Sequence, residues 1–509
     1  MSDGAAILPP PEGASAFSPE GDARSLKARS AAGAAITLAG QGGRFILQFG
    51  SQIALAHLLM PTDFGLIAMV APLIAAALLL TDLGLSAATI QRPTISQSEL
   101  SSLFWLNMLI GGVLCVGAMA AAPLVTRFYH TPALLPVVLA MATTLLLASL
   151  AAQHLAILNR RMRFGAITVI EVGGIAIGVV TGVGCALAGF GYWSLVAMQL
   201  ANGAAMTAMA WTFTRWRPSA PGIGRDAFHL IRFGGTVTGY NLLGYLISNL
   251  DNILIGARFG AGPLGIYDRA YKLVFQPLWQ MTAPAARVAV PLLSRLGEEE
   301  AEYRGAYLAM LGGVLALTVP GLLCAMLFAG PIIDVLLGAR WAAAAPIFAW
   351  LALCAITLQL RQAAGWLFVS QGRAQEQLKW GGLGSVAIVL SYLIGIHWGP
   401  VGVAIAMALS SGLVQVPLIW WAVTRRGPIR GGDIVALLLP IGVATLATGT
   451  ILSLLARQPV WTNVPRLLAI IVLAYALFLA AMGLTTGGRT WLARTISLSR
   501  ALRRRLAPR

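Results

Sequence analysis

The sequence predicts an all-α polytopic membrane protein of about 14 transmembrane helices, set out as two parallel, pseudo-repeated six-helix lobes plus two C-terminal helices. Three observations carry that expectation. Apolar stretches of about 20 residues, enough to cross roughly 30 Å of hydrocarbon, recur along the whole chain. Arginines gather in every second connection between them. The chain also repeats itself weakly at an offset of about 200 residues. With 58% hydrophobic and only 10% charged residues, its 509 residues leave no room for a large soluble domain.

Residues 1–30 are polar and rich in Pro, Gly and Ser, which predicts a disordered tail. No cleavable signal peptide is expected, because the first apolar run is long enough to remain as a helix. The N-lobe is expected over 31–214, with spans at 31–59, 64–90, 101–127, 133–157, 165–189 and 191–214. The C-lobe is expected over 215–424, with spans at 227–257, 263–292, 303–330, 343–370, 379–397 and 399–424. Segment 425–485 holds the last two spans, 432–455 and 463–485, and 486–509 is a basic tail.

Lys and Arg set the orientation. On one side lie Arg24, Lys27 and Arg29, then Arg92, then Arg160, Arg161 and Arg163, then Arg215, Arg217, Arg225 and Arg232. Arg287, Arg295, Arg304, Arg373, Lys379, Arg425, Arg426 and Arg430 continue the same side, and seven arginines fall between Arg489 and Arg509. The other side holds only Arg127, Arg258, Arg340, Arg457 and Arg466. Both termini are therefore expected in the cytoplasm. The net charge of +17 is accounted for by these orienting loops, which also suit an anionic leaflet of membrane lipids. No nucleic-acid partner is expected, because no soluble fold is left to present a basic groove. Cys115, Cys185, Cys324 and Cys354 lie far apart inside spans, without metal-ligand spacing, and read as packing residues. No metal and no cofactor is expected.

The repeat places Leu55–Ala68 over Ile255–Asp268, matching Gly65 with Gly265 and Leu66 with Ile266, each read as a short turn between helices. Gly191 and the residues after it lie over Gly399, each opening the sixth helix of its half. An even number of helices between equivalents gives the halves the same orientation, the arrangement of an alternating-access transporter.

Polar residues in the first span, Thr37, Gln41, Arg44, Gln48 and Gln52, are spaced 4, 3, 4 and 4 and fall on one face. The seventh span repeats the device with Thr238, Asn241, Tyr245, Ser248 and Asn252, and Asp251 at its edge. Two equivalent stripes point to the walls of a wet cavity rather than to lipid. Asp268, Lys272, Gln276 and Gln280 step along the eighth span; Lys272 either pairs with Asp268 or faces an anionic ligand. Arg361 lies deep in the tenth span, one turn after Thr357, whereas Asp82 and Glu171 lie nearer the ends of theirs. An ionisable group in a span costs about 2.5–3.5 kcal/mol on insertion scales, so each is a functional candidate or half of an internal salt bridge. Arg44, Lys272 and Arg361 against Asp251 give the deep set a positive sign, suited to a phosphate or diphosphate. Asp251 either couples an ion or pairs with a cavity arginine.

The ordered set "LAHLLMPTDFGLIAM", "LTDLGLSAATIQR", "FWLNMLIGG", "AILNRRMRF", "GFGYWSLVAMQL", "LDNILIGARFGAGPLGIYDRAYKL" and "LLGARWAAAAPIF" resembles Wzx-type polysaccharide flippases, in the colanic-acid and exopolysaccharide branch of the MOP exporter superfamily. The resemblance covers about residues 30–425. It implies a flippase of the bacterial inner membrane that moves an undecaprenyl-diphosphate-linked oligosaccharide to the periplasmic leaflet for exopolysaccharide or lipopolysaccharide synthesis. Partners implied are that polyprenyl diphosphate glycolipid, membrane lipids, and a polymerase with its export machinery. The family offers no universal catalytic motif to carry over.

A multidrug exporter of the same superfamily is the alternative. A membrane glycosyltransferase or polymerase is disfavoured, because such enzymes place their sites in large outward loops and the longest here are about a dozen residues. The chain is thus expected not to be an enzyme. A nucleotide-driven pump is excluded in its common form by the absence of a GxxxxGK[ST] phosphate loop.

Overall fold

The computed structural model describes residues 23–92, 94–220, 239, 242–297, 299–458, 461 and 463–491. They are helical throughout, with no strand among the described residues. The chain divides into two compact units, Met1–Gly265 and Ile266–Arg509.

The first unit contains α1 (Ala23–Leu58), α2 (Pro61–Asp82), α3 (Leu85–Gln91), α4 (Gln97–Phe128), α5 (Leu134–Arg160), α6 (Phe164–Leu187), α7 (Trp193–Thr214), α8 (described over 242–248) and α9 (Leu250–Phe259). Helix α10 (Ala261–Arg295) begins there and continues into the second unit. That unit then holds α11 (Glu300–Leu327), α12 (Ala329–Leu337), α13 (Ala344–Ser370), α14 (Ala374–Gly395), α15 (Gly399–Leu409), α16 (Val416–Thr424), α17 (Gly431–Ala456) and α18 (Val464–Leu484). Among the described residues, nine helical stretches are long and apolar enough to cross a membrane. The chain is a multi-pass membrane protein. One of the nine, Ala374–Thr424, is 51 residues long. It turns back on itself at Gly399 (φ +77°), where a Cβ on Gly402 would lie 2.4 Å from the carbonyl oxygen of Gly395. The expected spans 379–397 and 399–424 are its two arms.

Helix starts follow from local chemistry. Ser96 opens α4 with a capping box: its hydroxyl accepts the Glu99 N–H at 3.2 Å, and Glu99 Oε2 accepts the Ser96 N–H at 2.7 Å. Asp63 and Asp433 reach back in the same way to the N–H groups of Met60 and Arg430. Helix pairs then close through small residues, because lipid gives no hydrophobic drive between helices and close backbone contact must supply it. Gly174, Gly178 and Gly182 form a buried stripe on α6 against Met206, Asn202 and Met198 of α7. Gly111 of α4 receives Ser149 of α5, and Gly312 of α11 receives Trp491.

The internal repeat is visible in the backbone. Arg161, Met162 and Arg163 donate their N–H groups to the carbonyls of Ile157, Asn159 and Leu158; Gln371, Gly372 and Arg373 do the same to Leu367, Val369 and Phe368. The middle positions match as well, with Met162 and Gly372 both left-handed at φ +55° and +69°. Arg163 then donates to the Phe213 carbonyl at the end of α7, and Arg373 to the Ala422 and Val423 carbonyls at the end of α16. Gly65 and Gly265 behave otherwise than read. Both lie inside helices, α2 and α10, rather than in turns, and they touch: a Cβ on Gly265 would sit 2.9 Å from the Gly65 nitrogen. The first unit also runs past residue 214, because α9 packs on α2, with Ile255 fully buried and Gly256 against Met69 and Tyr129.

Candidate functional site

Each unit encloses a cavity. The one in the second unit, about 560 Å³, is walled by α10, α13, α14, α16 and the turn before α16. Helix α10 is opened by Pro277, Pro284 and Pro291. Each lacks an N–H, so the carbonyls of Leu273, Gln280 and Arg287 lose their helical partners. Trp279 and Thr282 line the cavity between the first two of these prolines. Opposite, Ser410–Gln415 joins α15 to α16 as a π-helical turn, a distortion that frequently marks functional sites. It is pinned by the Thr357 hydroxyl, which donates to Ser411 Oγ at 2.7 Å. It also turns Gln415 into the cavity wall, where Nε2 donates to Ser410 Oγ at 3.2 Å and the buried Oε1 has no hydrogen-bond partner.

Arg361 is the charged residue of this cavity lining, and its buried Nε likewise has no hydrogen-bond partner among the described residues. A cation inside a spanning helix costs about 2.5–3.5 kcal/mol on insertion scales.

The first unit's cavity, about 660 Å³, is lined by Asp82, Ser86, Asn159, Glu171, Gln199 and Asn202 among apolar side chains. Asp82 accepts the Ser86 N–H and hydroxyl at 3.0 and 2.6 Å. Glu171 pairs with Arg44 at 2.8 Å, so Arg44 brings no uncompensated charge.

The other sequence-selected residues are placed as follows. Gln48 is exposed on α1 and Gln52 half-buried, and neither lines a described cavity. Ser248 is exposed on α8, with its hydroxyl bonded to the Gly244 carbonyl at 2.9 Å. Asn241 lies outside the described residues. Asn252 is half-buried, and its Oδ1 lacks a hydrogen bond. Asp251 is buried and accepts the Asn252 N–H at 2.8 Å, next to the break between α8 and α9 at Asn249. Lys272 takes the first of its two readings: its Nζ lies 2.8 Å from Asp268, which also holds Arg269 at 2.8 Å. The structure therefore brings Arg44 to Glu171 and Lys272 to Asp268, and leaves Arg361 facing a cavity. Gln199 and Asn202, missed in the sequence reading, line the first cavity three residues apart on α7, with Thr207 further along the same wall. Among the described residues no cluster of metal-ligating side chains occurs.

The family model for polysaccharide biosynthesis proteins matches residues 54–346, more than half of the chain. The chain belongs to that family. A curated relative, the lipopolysaccharide biosynthesis protein WzxC of Escherichia coli (strain K12), is 25% identical over 368 residues, covering 71% of this chain and 73% of its own. The fold is shared with solved membrane transporters. The lipid II flippase MurJ in an inward closed conformation superposes with a TM-score of 0.66 at 15% identity, over 88% of this chain and 97% of its own. An inward-facing multidrug resistance MATE transporter of the MOP superfamily follows at 0.59 and 14%, over 75% and 94%. Family membership and fold agree with the resemblance read from the motifs.

Proposed function

We propose that this protein is a flippase that moves a polyprenyl-diphosphate-linked oligosaccharide across the bacterial inner membrane for polysaccharide synthesis, by alternating access. The observation that carries the reading is Arg361, a membrane-embedded cation that lines a cavity and whose Nε has no hydrogen-bond partner among the described residues. Its planar fork suits diphosphate oxygens. The family and the fold it shares with a lipid II flippase support the same substrate class. Within this proposal the lobes are 31–214 and 215–424, the segments 425–485 and 486–509 stand outside them, and both termini are cytoplasmic. Arg44, Gln48, Gln52, Asn241, Ser248, Asn252 and Lys272 belong to the path, with the charges of Arg44 and Lys272 already balanced. Asp251 is the proposed ion-coupling group. Polymerase and export machinery receive the flipped unit, and the chain itself acts as a carrier rather than a catalyst.

Deleting the chain is expected to stop polymer export and to leave lipid-linked oligosaccharide stranded in the cell, measured by mass spectrometry of lipid extracts. One observation favours the second reading, a multidrug exporter: the carboxylates of Asp82 and Glu171 on the first cavity are groups a lipophilic cation would use. Under that reading the deletion leaves export intact and sensitises cells to such cations.

A further inference from the structure

The lining of the second unit's cavity is chemically narrow. Its polar groups besides Arg361 are chiefly primary amides, Gln362, Gln377 and Gln415, and its large side chains include Trp279, Trp366 and Trp380. Gln415 is 2% exposed, yet its Oε1 acceptor is unmet among the described residues, while Gln377 is half-buried and Gln362 exposed. Trp380 is held in place by the edge of Trp421, ring centroids 5.4 Å apart at 87°.

A prenyl chain would leave the buried Gln415 acceptor unpaired, at a cost of about 1–3 kcal/mol, and would offer no partner to the amides of Gln362 and Gln377. A lipophilic cation would ask for a carboxylate, and none lines this cavity. A pyranose matches both features. Its hydroxyls donate and accept, as primary amides do. Its C–H face is apolar and packs on the flat indole surface. The volume lies within the usual range for small-ligand pockets, about 300–1,000 Å³. We infer that the cavity between α10, α13, α14 and α16 is the glycan subsite: Gln362, Gln377 and Gln415 bond the hydroxyls of the sugar nearest the diphosphate, Trp380 stacks on its face, and Arg361 holds the adjoining phosphate. The inference rests on the flippase reading and adds to it where the sugar sits and which side chains select it.

The test uses the full-length protein in lipid nanodiscs and two radiolabelled probes. One is undecaprenyl diphosphate; the other is the lipid-linked oligosaccharide extracted from cells deleted for this chain. The double variant Gln362→Ala/Gln377→Ala and the single variant Trp380→Leu are expected to bind the glycosylated probe at least tenfold more weakly than wild type. Both should bind the sugar-free probe within twofold of wild type, and Trp380→Phe should recover most of the glycan affinity. Equal losses for both probes, or no loss for either, overturn the subsite. Failure of the flippase reading is separable, because it shows before any variant is made: no glycolipid accumulates in the deleted cells, or wild type binds neither probe.

Discussion

Arg361→Ala is expected to abolish polymer export while the protein remains in the membrane near its normal amount. The two halves of that expectation come from the same observation. The Nε of Arg361 makes no hydrogen bond among the described residues, so truncation strips none of them of that partner and removes a charge that is costly to bury. The proposed diphosphate, however, loses a desolvated partner, which typically costs about 2–5 kcal/mol, with each 1.4 kcal/mol being tenfold. Arg361→Lys should restore only part of the export, because an ammonium lacks the bidentate fork. Lys272→Ala should be much milder. Asp268 keeps Arg269 at 2.8 Å when Lys272 is gone, so no buried carboxylate is abandoned. Exported polymer, normalised to immunoblotted protein, distinguishes the variants.

Gly65→Ala and Gly265→Ala are expected to act in the opposite way, by removing the protein rather than its activity. A Cβ on Gly65 would lie 1.7 Å from the Ala261 carbonyl oxygen, and one on Gly265 would lie 1.9 Å from that of Pro61. The obstructing atoms are backbone, which has no rotamer to move into, so the start of α10 must separate from the start of α2. Overpacking commonly costs about 1–3 kcal/mol, and contact with fixed backbone belongs at or above the upper end. Membrane-inserted protein should fall severalfold in each variant. Gly42→Ala and Gly43→Ala on α1 are the controls: nothing lies within 4 Å of either added methyl, and a helix interior gains up to about 1 kcal/mol from the exchange.

These two sites show what was legible in the sequence. Hydropathy, arginine alternation and the repeat were enough for an all-helical polytopic fold, because each follows from a requirement of the bilayer that acts on single helices. Gly65 and Gly265 were matched to one another as turn residues, yet both lie inside helices and their contact was not foreseen. Sequence spacing registers that a residue is small, not which backbone passes over it. The same limit governs the site. Arg361 was found because any cation in a span stands out. Arg44 and Lys272 stood out equally, and their partners Glu171 and Asp268 were each known, but for Arg44 pairing across α1 and α6 is a tertiary fact. Gln415 owes its place to a π-helical turn that no periodicity announces. Gln199 and Asn202 were readable from their spacing and were passed over because they carry no charge.

Transbilayer movement of the glycolipid by the purified protein is the measurement that bears most directly on the central claim. Lipid-linked oligosaccharide is reconstituted into sealed vesicles with wild-type protein, with Arg361→Ala, or with no protein, after glycan exposed on the outer leaflet has been destroyed with impermeant periodate. A second periodate pulse then reports how much protected glycolipid has reached the outside. Wild type is expected to expose about half of the protected pool, the share that equilibrating two leaflets gives, while Arg361→Ala stays at the protein-free level. Wild-type vesicles that expose no more than protein-free ones would contradict the flippase account.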